Sequence, residues 1–232
     1  MIELRGSRAS ARVMIDRIDD TTKAQILTFL ESPAFEDSRI VVMPDCHAGK
    51  GAVIGLTMTR NRFVIPNVVG VDIGCGMLAV RLRAAEVDLP ALDAFIKGQI
   101  PSGFATNRSV LPGIDRAFVE EVEAAARAVG ADVDRAAKSL GSLGGGNHFI
   151  ELDRDSDGAL WAVVHSGSRN FGLRVAEHFQ ARARDYCSRL RGERPARDLE
   201  YLPEGHPDAR GYLDAMRLAQ DYARRNRSLV MG

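Results

Sequence analysis

The chain has 232 residues, enough for one large domain or two small ones and for a sizeable buried core. Its 31 basic and 31 acidic side chains cancel, so no global field draws it to nucleic acid or to a membrane, and any polyanion contact must come from a local patch. No apolar run approaches the roughly 20 residues that cross a bilayer, the opening MIELRGSRAS has no signal-peptide core, and the scattered Cys46, Cys75 and Cys187 form no disulfide framework. The expected compartment is cytoplasmic, with no membrane partner.

In chain order, residues 20–31 read as a short amphipathic helix. Asp20 is the expected cap, Ile26, Leu27 and Leu30 share a face, and Ser32-Pro33 ends it. Residues 39–43 are an apolar run of strand length, with Pro44 as its expected stop. Residues 52–58 and 63–65 are also strand-like, with Asn61-Arg62 as the turn between them, and residues 77–82 form another strand. Asp88-Leu89-Pro90 then opens a helix whose buried stripe would be Leu92, Phe95 and Ile96. Residues 101–112 are irregular and polar. Ile114, Phe118, Val122 and Val129 keep helical spacing up to Gly130, and a short helix is expected within 131–138. Residues 147–152 and 160–164 suggest a hairpin across a turn at 153–158, and helices follow from about 173 to 190 and from about 207 to 229. Strands and helices mix without regular alternation, so the expected class is α+β, with mixed sheets and surrounding helices.

Three times a strand borders a loop rich in glycine and metal-capable side chains. The loops carry Asp72 and Cys75, then Asn147 and His148, then His165. Taken singly, each has a bland reading: Asp72 as a turn cap, Cys75 as a small apolar residue, His148 as a core histidine sharing a strand face with Ile150 and Leu152. Together, one carboxylate, one thiolate and two imidazoles suit Zn, Mn, Fe or Co better than Ca or Mg. A deprotonated Cys75 could bridge two ions. Gly144-Gly145-Gly146 can form a backbone nest for an anion. His47, Lys50 and Arg169 are further candidates for phosphate contact, although Lys50 does not sit in P-loop spacing and reads more readily as a solvated loop lysine. The arginines between 182 and 197, interrupted by Asp185, Glu193 and Asp198, read better as a solvated helix face than as a phosphate-binding strip.

Four stretches, MPDCHAGKGAVIG, VVGVDIGCGM, LGSLGGGNHFIEL and VVHSGSRNFG, together resemble the RtcB family of RNA-splicing ligases and stand in that family's order. The resemblance extends to the N-terminal helix and to AMRLAQDYARRNR near the end. It implies an RtcB-like fold and an enzyme dependent on Mn²⁺ and GTP. Such an enzyme joins RNA ends bearing a 3′-phosphate or 2′,3′-cyclic phosphate to 5′-hydroxyl ends, in tRNA splicing or RNA repair. By position, Asp72, Cys75, His148 and His165 match ligands of two Mn²⁺ ions, with Cys75 the bridging thiolate. Asn147, His148, Phe149, Ile150 and Glu151 match a guanine-nucleotide contact segment. The family's nucleophilic histidine stands in a His-Gly-Ala-Gly motif that none of the five histidines here occupies. The expectation is a single RtcB-like catalytic domain over residues 1–232, without the family's C-terminal part and without its nucleophile. Two other readings stay open: a metal-dependent RNA phosphoesterase or cyclic-phosphate hydrolase, and a non-catalytic RNA- or metal-binding module.

Overall fold

The computed structural model describes every residue except Arg60 and Glu193. In chain order the elements are β1 (Ile2–Arg5), β2 (Ser10–Val13), α1 (Asp20–Leu30), β3 (Ile40–His47), β4 (Ile54–Met58), β5 (Phe63–Val64), α2 (Pro66–Val69) and β6 (Gly76–Arg81). They continue with α3 (Leu89–Gln99), α4 (Arg116–Ala128), α5 (Val133–Lys138), β7 (Phe149–Arg154), β8 (Leu160–Ser166), α6 (Arg169–Ser188), β9 (Leu202–Pro203) and α7 (Pro207–Met231). The protein is α+β, and its chain divides into two compact units.

The first unit comprises Met1–Val71 and Ala176–Leu213. Its main sheet has the order β1-β2-β3-β4, with β2 and β3 parallel and the outer pairs antiparallel. The core beneath it holds Ile26, Phe29 and Leu30 of α1 together with Phe35, Val13 and Val42, all at 0% exposure. Burying each of these large side chains contributes about 1.5–3 kcal/mol. The cap of α1 is Asp19, not Asp20: the Asp19 carboxylate accepts from the Thr22 N–H at 2.9 Å. Asp20 is already the first helical residue, one position too late to reach that N–H. Pro44 does not stop β3 either. The ladder with β2 ends at Val42, so beyond it the strand has a free edge where a missing N–H costs nothing. The register against β4 shifts between Val42 and His47, the signature of a bulge. β5 pairs with β9 rather than with β4, because Asn61 does not close a hairpin. Its amide donates to the carbonyls of Ala34 and Glu36 and to Ser38 Oγ.

The second unit comprises Asp72–Val175 and Asp214–Gly232. Its sheet is antiparallel, in the order β6-β8-β7, with the expected hairpin between β7 and β8. Asp155 holds the turn, accepting from Trp161 Nε1 at 2.8 Å and from the Ala159 N–H at 2.8 Å. Phe118, Val122 and Ala126 of α4 are buried, as are Phe171, Tyr222 and Ala223. The Phe171 and Tyr222 rings lie 5.6 Å apart, and the Tyr222 hydroxyl donates to the Ala136 carbonyl at 2.8 Å. The expected buried stripe of α3 is not buried. The helix forms for local reasons, with Asp88 capping Ala91 and Lys97 paired to Asp93, yet Leu92 and Ile96 are half-covered and Phe95 is 59% exposed. No helix among the described residues is long and apolar enough to cross a membrane.

Candidate metal centre

Strand register brings three loops of the second unit to one end of its sheet. Gly76 pairs with Ser166, and Phe149 pairs with His165. The residue before β6, the residue before β7 and the penultimate residue of β8 therefore converge. Cys75 Sγ lies 3.3 Å from Nε2 of His165 and 3.6 Å from Nε2 of His148. All three ligand atoms fall within 4.8 Å of one another. Metal bonds of about 2.0–2.3 Å to nitrogen and sulfur separate ligand atoms by roughly 3–4 Å, so the cluster fits one ion as it stands. Asp72 Oδ2, 2.9 Å from His148 Nε2, adds a carboxylate to the same group.

His148 has a side-chain exposure of 5% and two competing sets of partners. Its Nε2 faces Asp72, while its Nδ1 lies 3.0 Å from the Leu143 carbonyl and 2.9 Å from Nη1 of Arg169. A neutral imidazole carries a single N–H, so these contacts belong to two tautomers. In one, Nε2–H donates to Asp72 and Nδ1 accepts from Arg169. In the other, Nδ1–H donates to Leu143 and Nε2 offers its lone pair to a metal. Only the second can ligate, and a backbone carbonyl behind the ring is the usual device for holding it. The His165 ring stacks on Phe149 at 5.3 Å between centroids.

Electrostatics at the cluster follow from its partial burial. Burial raises the Asp72 carboxyl, but hydrogen bonds from His148 and Cys75 and the charges of His148 and Arg169 outweigh it, leaving Asp72 below the ordinary carboxylate range. Burial, with the neighbouring Asp72 charge, pushes the Cys75 thiol up to about 11, although the residue keeps an open side to solvent. Burial lowers His165 from its usual value, with His148 adding to the effect, which favours the neutral ring that ligation requires. Its Nδ1 is buried and has no hydrogen-bond partner.

Two residues of α7 fasten the loops, and sequence reasoning did not single them out. Asn226, fully buried, accepts from the N–H groups of Gly141 and Ser142 and donates to the Ser142 carbonyl and Ser166 Oγ. Arg227 donates to the carbonyls of Gly74 and Ser166, each at 2.8 Å. Their signal was periodicity, since both fall on the stripe that buries Ala219, Tyr222 and Ala223. Glycine is required where side chains press on the backbone. A Cβ on Gly144, which also has φ +88°, would collide with the Arg169 guanidinium, and one on Gly167 would collide with the Asp72 carboxylate.

The structure thus brings Asp72, Cys75, His148, His165 and Arg169 together. Asn147, next to His148 in the chain, and Glu151, the third residue of β7, are exposed, and Gly145 and Gly146 are open to solvent. His47 and Lys50 belong to the first unit, both exposed, with His47 Nδ1 on the Asp45 carbonyl at 2.9 Å. In the arginine run, Arg182 meets Asp208, Arg184 meets Asp198 and Glu200, Arg189 meets Asp185, and Arg197 meets Asp198, as a charged face balanced by acids would. Glu193 lies outside the described residues.

Residues 25–232 match the family described as tRNA-splicing ligase RtcB. The RNA-splicing ligase RtcB of Escherichia coli K12 is 34% identical over 92% of the chain and 56% of its own length. The RNA-splicing ligase RtcB of Mycobacterium tuberculosis is 31% identical over 81% of the chain and 56% of its own length. The tRNA-splicing ligase RtcB of Aeropyrum pernix is 27% identical over 82% and 50% respectively. The chain spans about half the length of these relatives.

Proposed function

Because this chain belongs to the RtcB family, we propose that its second unit is the metal-binding part of an RNA-joining centre, with Asp72, Cys75, His148 and His165 as ligands of Mn²⁺ and Cys75 as a bridging thiolate. The carrying observation is the convergence of Cys75, His148 and His165 within 4.8 Å at one sheet end. The substrates are RNA ends bearing a 3′-phosphate or 2′,3′-cyclic phosphate and a 5′-hydroxyl, with GTP as the activating nucleotide, in the cytoplasm. Mn²⁺ would supply Lewis-acid stabilisation of charge on phosphate oxygens.

The chain's own residues have separable tasks. Asp72 and the Leu143 carbonyl select between the tautomers of His148, and ligation through Nε2 commits Nδ1 to Leu143. With Nδ1 so committed, Arg169 would have no acceptor on His148, and its guanidinium would be available to a phosphate. Cys75 gives up its proton on ligation. Asn147 and Glu151, both exposed, offer acceptors for the N–H edge of guanine. No histidine here stands in the His-Gly-Ala-Gly setting, so the chain contributes metal and nucleotide contacts rather than the guanylylated nucleophile.

The test compares two otherwise identical RNA oligonucleotides, one ending in a 3′-phosphate and one in a 3′-hydroxyl, for binding to the chain with and without Mn²⁺. Tighter binding of the phosphate end that depends on Mn²⁺ is expected. Equal affinity for the two ends, or release of inorganic phosphate from the first, would refute the assignment; phosphate release would point to a phosphoesterase instead.

A further inference from the structure

Phe104 is the most exposed of the large apolar side chains among the described residues, at 92%. Its exposure is not the looseness of an unheld loop. Leu143 N–H donates to the Pro101 carbonyl at 2.9 Å, Gly103 N–H donates to the Gly144 carbonyl at 2.9 Å, and Arg135 Nη2 donates to the Phe104 carbonyl at 2.7 Å. Asn107 ties the far side of the loop to the carbonyls of Lys138 and Leu140. The backbone is therefore pinned on both sides while the ring stands in water, an arrangement that loses apolar burial unless something covers the ring.

The pinning also fixes where the ring stands. Leu143, bonded to Pro101, is the residue whose carbonyl holds His148, and Gly144, bonded to Gly103, packs against the Arg169 guanidinium. Phe104 is thus displayed on a backbone bonded to the Arg135 guanidinium and to the glycine loop that packs against Arg169, at the edge of the metal cluster. Ser102, Gly103, Ala105, Gly145, Gly146 and Asn147 around this loop pair are exposed and mostly small or polar, and Gly103 lies against Gly145. An exposed aromatic ring near cationic groups is a recurring solution for holding an unpaired base next to its phosphate.

We propose that Phe104 is a stacking platform for a nucleobase of single-stranded RNA, placed to guide an RNA end into the metal cluster. This rests on the RNA reading above, and the experiment separates the two. Fluorescence anisotropy would follow a labelled single-stranded RNA with a 3′-phosphate end binding to the wild-type chain and to Phe104→Ala, Phe104→Leu and Phe104→Trp, with circular dichroism confirming that each variant is folded. Stacking of one base on an aromatic ring corresponds to roughly a 5- to 100-fold change in affinity. Phe104→Ala and Phe104→Leu are expected to lose about tenfold alike, Phe104→Trp to retain affinity, and the new tryptophan to be quenched when RNA is added. Wild-type affinity in Phe104→Ala would overturn the proposal while leaving the RNA reading intact. So would full retention in Phe104→Leu, which would make the contact apolar rather than stacked. A change in self-association with RNA affinity unmoved would assign the ring to a protein contact and equally overturn it. No binding of RNA by the wild type at low salt would overturn the RNA reading itself, and the proposal with it.

Discussion

Replacing Asn226 by Ala removes one side chain from two loops at once. Its Oδ1 is the acceptor for the Gly141 and Ser142 N–H groups, at 2.8 and 3.2 Å, and its Nδ2 reaches Ser142, Ser166 and Gly167. Asn226 is at 0% exposure, so water cannot replace it without entering the core. The buried Gly141 N–H is left without an acceptor while the Ser142 N–H keeps the Ser139 carbonyl at 3.2 Å; one such loss costs about 1–3 kcal/mol, and the lost volume adds to that, so roughly 2–4 kcal/mol is expected. The chain's one tryptophan, Trp161 on β8, reports on the second unit alone, and urea unfolding followed by its fluorescence measures the loss. Mn²⁺ affinity should fall as well, because the loops bearing His148 and His165 lose their common fastening. A loss below about 0.5 kcal/mol would show that the loops hold themselves and that the buried amide is incidental.

Gly167→Ala places a methyl group against the Asp72 carboxylate and should displace it from His148. Groups that orient a ligand are worth 10- to 100-fold in metal affinity, so a loss of about tenfold is expected by calorimetry; unchanged affinity would exclude Asp72 from the centre. Tyr212 and Tyr222 are fully buried, donating to the Pro66 and Ala136 carbonyls, and burial raises both above the usual phenol value. A raised folded-state pKa means their contribution to stability is complete below the unfolded value of about 10 and declines as pH rises through and beyond it. Phenolate absorbance should therefore leave at least two of the four tyrosines un-ionised at about pH 11 while the fold persists. Ionisation of all four with far-ultraviolet circular dichroism intact would contradict their burial.

What the sequence disclosed followed from how locally each feature is encoded. Cys75, His148 and His165 could be read because each borders a strand in a glycine-rich loop, and strand register then carries loops to a common edge. The face that periodicity gave His148, shared with Ile150 and Leu152, is not the one it takes: β7 begins one residue later, and the ring lies against Asp72 and Cys75. α3 was legible as a helix from its cap and charge pair, but whether Phe95 is covered depends on what packs there, which no local signal encodes. Pro44 misled for the same reason: a missing N–H matters only where a neighbouring strand asks for it. Asn226 and Arg227 were hidden in plain periodicity, polar residues on an apolar stripe whose partners lie at least 59 residues away in sequence.

The most direct measurement is Mn²⁺ titration of the wild-type chain and Cys75→Ala by calorimetry at matched pH. Cys75 Sγ is the one ligand atom close to both imidazole nitrogens, so its removal should weaken binding by at least tenfold and abolish the proton release that accompanies loading of a thiol with a pKa of about 11. Equal affinity and equal proton release in the two proteins would contradict a metal centre built on Cys75, His148 and His165.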